Sequence, residues 1–462
     1  MTRNAKGAIA LLFIGLAAIA TIYLVLSRQT EEEHVASSDA ANSRGTIRVG
    51  VDNFVGYFPL CSPYMKSTML ADGFRLECVD DQADYAARFE ALSGGTLDLA
   101  VGTIDAFLLN GAETKYPGVI LSVLDESRGA DAIVARKAVV SSLGALKDMD
   151  SVKVAYTPNS PSHHFLKVAG VHFDIGFLRT NRTDWRIETD GSSEALKALE
   201  SGKADVAVVW EPEVSKALAN DEYVKILGSE ETKRLIVDVL IASHKTEAAN
   251  APRNDLLLSN YFRALKYYRD NPDIFDRDLA DYAKVSKTQA ATLRQGVHWV
   301  SLSENATEWM GVHTAGAMPV HGLYDAIDAT LDIQQDVGDF SQNPLPAGDP
   351  RRIISSRTVT ELYNKGLSAG FGAGGFAVEQ NEIADGDFAP LSADRWAQLR
   401  DVGNLKVRPI NFESGTGSLT KTGKEQLDLA AKVLESYPNF RIVIEGHTSP
   451  SGDPEVNKSL SQ

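Results

Sequence analysis

The chain has 462 residues, enough for roughly two to four domains. It carries 46 Lys and Arg against 62 Asp and Glu, a net charge of −16, so it lacks the basic surface that a nucleic-acid partner demands. A hydrophobic share of 44% excludes wholesale disorder, and two cysteines are too few for a disulfide scaffold or a CxxC metal knuckle.

Gly7 to Leu26 reads GAIALLFIGLAAIATIYLVL, 20 residues without a charge. At helical rise this spans a hydrocarbon core of about 30 Å. Arg3 and Lys6 precede it, whereas Glu31, Glu32 and Glu33 follow Arg28, so the positive-inside bias leaves the N-terminus cytoplasmic. A cleaved signal peptide is the alternative. Its apolar core would be shorter, about 7–15 residues, and a small-residue cleavage site would follow in place of SRQTEEEH. The reading is a signal-anchor followed by a polar tether from Thr30 to Arg44.

From Thr46 the pattern becomes one of short apolar runs alternating with helical periodicity. TIRVGV, DLAVGT, VILSVL, AIVARK, VKVAYT, DVAVVW and LIVDVLIAS predict strands, and segments such as ADYAARFEALSGG predict helices between them. That alternation predicts an α/β fold with mostly parallel sheets, in which ligands bind beyond the carboxyl ends of the strands. Three strand ends carry polar groups fit for the purpose: Asp52-Asn-Phe-Val-Gly-Tyr, Gly102-Thr-Ile-Asp, and Pro158-Asn-Ser-Pro-Ser-His-His opening a helix. Ser160 or Ser162 suits an N-cap, and a helix N-terminus with free amides also suits an anion. His163 and His164 are adjacent, about 100° apart on a helix, and cannot ligate one metal from the same face.

The segments GVDN with GYFPL, ALSGGTLDLAVGT, VKVAYTPNSPSHHFL and ALKALESGKADVAVVWEPEVSKAL resemble the substrate-binding proteins of ABC importers, in the nitrate/sulfonate/taurine/thiamine-precursor group. The pattern L-x-x-G-x-x-D-x-A occurs twice, the second copy followed by Trp-Glu-Pro. The resemblance covers about Thr46 to Tyr363 and implies two lobes closing on a small polar ligand, with AIVARK and the Val237–Ser243 strand crossing between them. By position, Asn53, Tyr57, Thr103, Asp105, Ser160, Ser162, Trp210 and Glu211 are the ligand contacts it implies, with Tyr57 and Trp210 as aromatic walls. Arg128 would serve an anionic ligand, whereas Asp105 and Glu211 would favour an amine; the sequence leaves the ligand's charge open. Cys61 and Cys78 lie 17 apart on the oxidising side of the membrane. They are either a bridge worth about 3 kcal/mol or two buried thiols.

Beyond Ser368 a Gly- and acid-rich stretch reads as a connector, including a G-x-G-x-x-G at Gly370–Gly375 that follows a helix and so is no dinucleotide fingerprint. VRPINF then predicts a strand, LTKTGKEQLDLAAKVLESYP an amphipathic helix, and FRIVIEGHTSPSGD a strand and turn. The series Ile410-Asn-Phe, Ile442-Val-Ile, Gly446-His-Thr, Gly452, Asn457 and Leu460-Ser resembles the OmpA-like peptidoglycan-binding domain. In that family an Asp after the G-(H/Y)-T triplet holds the cell-wall diaminopimelate, and an Arg after L-S completes the grip. Here Ser449 stands at the Asp position and the sequence stops before the Arg, so the domain reads as truncated or degenerate, leaving Thr448, Ser449, Asp453 and Asn457 for weak wall contacts.

The resulting organisation is 1–29 cytoplasmic tip and membrane anchor, 30–45 tether, 46–366 two-lobed α/β solute-binding domain, 367–405 linker, and 406–462 an incomplete α+β OmpA-like domain. The expectation is a single-pass protein of the bacterial inner membrane, with its bulk in the periplasm. It binds a small molecule for ABC-type uptake or sensing, with a permease or other inner-membrane partner, and uses no cofactor, metal or catalytic residues. The competing expectation is an envelope scaffold or stress-response component whose lobes bind a protein or a peptidoglycan fragment.

Overall fold

The computed structural model describes residues 43–149, 151–179, 182–312, 320–367, 391–399, 402–413, 416–445 and 447. The apolar stretch Gly7–Leu26, the glycine-rich run after Ser368, and Thr448, Ser449, Asp453 and Asn457 lie outside the described residues. Among the described residues no helix is long and apolar enough to cross a membrane.

Among the described residues eleven strands carry the fold: β1 (Gly45–Val51), β2 (Phe74–Asp80), β3 (Leu99–Thr103), β4 (Gly118–Ser127), β5 (Asp131–Arg136), β6 (Val154–Tyr156), β7 (Arg186–Glu188), β8 (Val206–Trp210), β9 (Tyr223–Gly228), β10 (Val237–Ser243) and β11 (Val297–Trp299). They form two sheets, one in the order β11-β4-β10-β3-β1-β2 and one in the order β7-β6-β8-β5-β9. β3, β8 and β10 are buried along their whole length, because helices cover both faces, which is why they read as continuous apolar runs.

The sheets are mixed, which corrects the mostly parallel expectation. β1 runs parallel to β2 and β3, and β6 parallel to β7 and β8. β10 is antiparallel to β3 and β4, and β5 is antiparallel to β8 and β9. The reason is connectivity. β4 of one sheet leads by a short connection into β5 of the other, and β9 leads back into β10, so β5 and β10 enter their sheets from the end at which their neighbours leave and run against them. The passage between lobes is thus made at 128–130 and 229–236, just before the strands expected to cross.

The duplicated sequence pattern has one structural job performed twice. Gly95 (φ 77°) and Gly202 (φ 72°) take the left-handed conformation that ends the helices before β3 and β8. Asp98 Oδ2 then accepts from Arg48 N at 2.9 Å, and Asp205 Oδ2 from Lys153 N at 2.9 Å, locking each strand to its parallel neighbour. In the first lobe, Cys61 and Cys78 are joined in a disulfide, with Cα atoms 6.1 Å apart, tying the end of the short helix Phe58–Cys61 to β2.

The C-terminal segment keeps its helix, Lys421–Glu435, capped by Thr420 accepting from Gly423 N at 2.9 Å. Neither predicted flanking strand forms among the described residues. Phe412 and Leu419 make a single bridge, and Ile442, Val443 and Ile444 stand exposed with no strand beside them. The segment is nevertheless seated on the second lobe. Tyr437 is buried against Phe173 and shares a 2.7 Å hydrogen bond with His172 Nδ1. Lys233 N donates to Ser436 O at 2.9 Å, and Asn439 Nδ2 donates to Glu230 O at 2.8 Å.

Candidate functional site

The polypeptide between β4 and β5 and that between β9 and β10 meet at Ser229. Its hydroxyl lies 2.8 Å from that of Ser127 and accepts from Gly129 N at 2.7 Å and Asp131 N at 3.1 Å. This knot fixes both crossings together and places the ends of β3, β4, β8 and β10 around one cleft.

On the first lobe, register puts three side chains in a row. Thr103 pairs with Asp238, and Asp238 with Asp125, so all three project from one face of the sheet. Tyr57, from the loop after β1, donates to Asp238 Oδ1 at 2.5 Å. The same loop passes so close to Asp125 that a Cβ on Gly56 would lie 2.6 Å from its Oδ2, so only glycine fits there. Asp52 is different: its Oδ2 accepts from Arg88 Nη2 at 2.9 Å and Tyr85 Oη at 3.2 Å. Arg88 is fully buried and also binds Asp81 and the carbonyl of Val101, so its charge is spoken for.

The remaining acids lack any such cation. Neither carboxylate oxygen of Asp125 has a hydrogen-bond partner, nor do Asp238 Oδ2, Asp131 Oδ2 and Asp105 Oδ1. Burial pushes all four upward. Asp105 and Asp131 are each raised to about 7. Asp238 goes well up through burial and the charge of Asp125, and Asp125 through burial and the charges of Asp131 and Glu126, with Asp238 beside it drawing it partly down. The Thr103 hydroxyl lies close enough to Asp105 to draw it partly down, yet makes no hydrogen bond of acceptable geometry.

The second lobe contributes Asp131, Trp210 and the residues after β6. Asp131 and Trp210 are cross-strand partners. Trp210 is anchored by Ser192, whose hydroxyl both accepts from its N at 2.9 Å and donates to its carbonyl at 3.1 Å. Its Nε1 reaches across the cleft to Asn53 Oδ1 at 3.4 Å. A second bridge between lobes runs from Asn110 Nδ2 to Asn159 O at 3.1 Å. The Ser160 hydroxyl donates to Thr157 O at 2.6 Å and lies 3.0 Å from that of Ser162, which in turn accepts from Thr157 N at 3.1 Å. Ser160 occupies the N-cap position without capping through its side chain. The Thr157 hydroxyl is buried without a partner.

The expected contacts therefore divide. Asn53, Tyr57, Thr103, Asp105, Trp210, Ser160 and Ser162 are all placed around the cleft, although the two serines turn back on their own loop. Glu211 is engaged locally, accepting from Ser215 N at 2.9 Å and Ser215 Oγ at 2.7 Å. Arg128 lies at the hinge on Glu126, 2.9 Å away, and Glu126 also accepts from Arg234 N. Sequence reasoning missed Asp125, Asp131 and Asp238, whose signal was an acid inside an otherwise apolar strand. His163 and His164 are held neutral by burial, His164 with its pKa pushed down to about 3. Among the described residues no group of three or more His, Cys, Asp or Glu is arranged to hold a metal ion.

Comparison with known proteins supports two parts of this picture. Residues 411–462 match the OmpA family. Over the α/β part, the chain is similar in fold to a zinc-bound ligand-binding component of an ABC-type import system from Staphylococcus aureus. That match has TM-score 0.53 and 11% identity, and covers 69% of this chain and 99% of that one. It is also similar to the periplasmic nitrate-binding protein from Synechocystis, with TM-score 0.51 and 13% identity over 71% of this chain and 90% of that one. No curated protein matches this chain in sequence.

Proposed function

We infer, from a chain that joins a periplasmic-binding-protein fold to an OmpA-family segment, that this is a solute-binding protein of the bacterial envelope and not an enzyme. The lobes close on a small polar ligand by rotation about the Ser127–Ser229 knot, a shift of population between open and closed forms. The reading places Gly7–Leu26 in the inner membrane and the lobes in the periplasm. The closed form would be presented to a permease or another membrane partner. The OmpA-family segment directs the C-terminal end toward peptidoglycan.

One observation carries this reading: polar atoms from both lobes are buried at the cleft without partners. Thr103 Oγ1 and Asp105 Oδ1 come from the first lobe, Thr157 Oγ1 and Asp131 Oδ2 from the second. An unsatisfied buried polar atom costs roughly 1–3 kcal/mol, and a ligand that completes these bonds recovers that cost.

The test is a thermal-shift panel on the purified chain with nitrate, sulfonates, amino acids, polyamines and muropeptides, read beside native mass spectrometry. Saturation at 100-fold above Kd is worth about 2.7 kcal/mol and raises Tm by a few degrees. A shift with any small-solute class is expected. A flat panel on a folded protein with no copurified ligand would replace this reading by the envelope scaffold.

A further inference from the structure

We propose that the cleft takes a small organic cation, an ammonium- or guanidinium-bearing solute, held between Asp105 of the first lobe and Asp131 of the second, over the Asp125–Asp238 pair. The inference rests on the solute-binding reading and names the chemistry of its ligand.

The argument begins with an imbalance of charge. Four carboxyls, Asp105, Asp125, Asp131 and Asp238, are each at most 4% exposed and come from both lobes. No ion pair reaches any of them among the described residues. The nearby cations are already committed. Arg88 is closed on Asp52 and Asp81, and Lys167 sits 2.6 Å from Asp339. Burying carboxylates without a counter-charge is costly, so in the empty protein protons must neutralise them. Those protons are placeholders that a cation of the right size displaces.

The second line is independent of charge. The Thr103 hydroxyl, 1% exposed and partnerless, projects from the same sheet face as Asp238 and Asp125 and lies beside Asp105. A neutral acceptor aimed into an acidic cluster suits an N–H donor with several protons to place, which an ammonium or guanidinium supplies. Tyr57 donates to Asp238 and Trp210 is the cross-strand partner of Asp131, so both aromatics stand beside these acids, and aromatic rings favour cations. A metal ion is the poorer fit, since no three acids converge at coordinating geometry. Nitrate or a sulfonate would meet four acids and, among the described residues, cations already paired with other carboxylates.

The test is titration calorimetry on the full chain at high salt, which screens exposed charges and leaves a buried site largely intact. The probes are putrescine, agmatine and spermidine against nitrate, ethanesulfonate and taurine. At least one cation is expected to bind. D131N and D105N are expected to weaken it at least tenfold, while their Tm without ligand stays equal or rises, showing an intact fold. Binding of an anion with no cation bound would overturn the cation and leave the solute-binding reading standing. Cation binding unchanged in both variants would move the site elsewhere and overturn the assignment. If nothing binds and native mass spectrometry shows an empty chain, both readings fall together.

Discussion

The two lobes are built to one plan and finished to opposite purposes. Each ends a helix on a left-handed glycine and clamps the next strand with an aspartate, through Gly95 and Asp98 in one and Gly202 and Asp205 in the other. Toward the cleft they diverge. The first lobe presents a sheet face of Thr103, Asp238 and Asp125 braced by Tyr57, whereas the second presents two serines turned back on their own loop, the partnerless Thr157 hydroxyl, and Asp131 at its edge. The lesson is that the repeated pattern specifies scaffold, and the two lobes differ in positions that the repeat does not share.

The sharpest way to break this comparison is to attack Arg88, a fully buried cation of the first lobe. Arg88→Ala strands Asp52 and Asp81, and removing one partner of a buried pair costs about 3–5 kcal/mol. Urea unfolding should show that loss, and a loss under 1 kcal/mol would contradict the assigned role. The disulfide comes next. Replacing Cys61 and Cys78 by serine should cost about 3 kcal/mol by loop closure, with the damage confined to the first lobe in hydrogen exchange.

A pH scan sharpens the contrast at the cleft itself. Asp105, facing Thr103, Lys167 and Asp339, and Asp131, facing Ser127, Glu211 and Asp52, both titrate near 7 when folded. An unfolded aspartate titrates near 4, so between those values the folded chain holds more protons than the unfolded one. Their stabilisation is complete at low pH and is lost as pH rises through 7. The buried histidines act in the opposite sense below about pH 6.5, so the window to use lies above it. The unliganded protein should lose a few degrees of Tm from about pH 6.5 to about 8, and D105N with D131N should flatten that slope. Cation affinity should rise over the same interval.

The smallest effect tests the shared scaffold. Asp98→Ala and Asp205→Ala each remove one clamp, at roughly 1–2 kcal/mol. Asp98 should cost the more, because it also holds Arg253 at 2.8 Å. Equal values would mean that the ion pair adds nothing.

Much of the fold was legible because strands buried on both faces read as apolar runs, as in DVAVVW and LIVDVLIAS. β2 was not. FRLECVD alternates apolar and charged residues, the period of a half-buried strand at the edge of its sheet, and lacks the continuous apolar run by which the buried strands were read. The antiparallel return of β5 and β10 depends on where the chain crosses between lobes, a non-local fact. At the cleft, strand ends were found by rule, and Thr103, Asp105 and Asn53 came with them. Asp125 and Asp238 escaped because they sit inside strands. The sequence does mark them, as charges interrupting VILSVLDES and LIVDVLIAS, and such an interruption is informative because burying a bare carboxylate is costly.

The seat of the C-terminal helix has a mechanical consequence. Ser436 and Asn439 grip the chain at Lys233 and Glu230, beside the Ser229 knot, and Tyr437 is sunk into the second lobe. The segment therefore acts as a handle on that lobe, with the pivot a few residues from the grip. A load applied to the C-terminal end from outside would be felt as torque on the hinge, and the occupancy of the cleft would set how stiffly the handle resists.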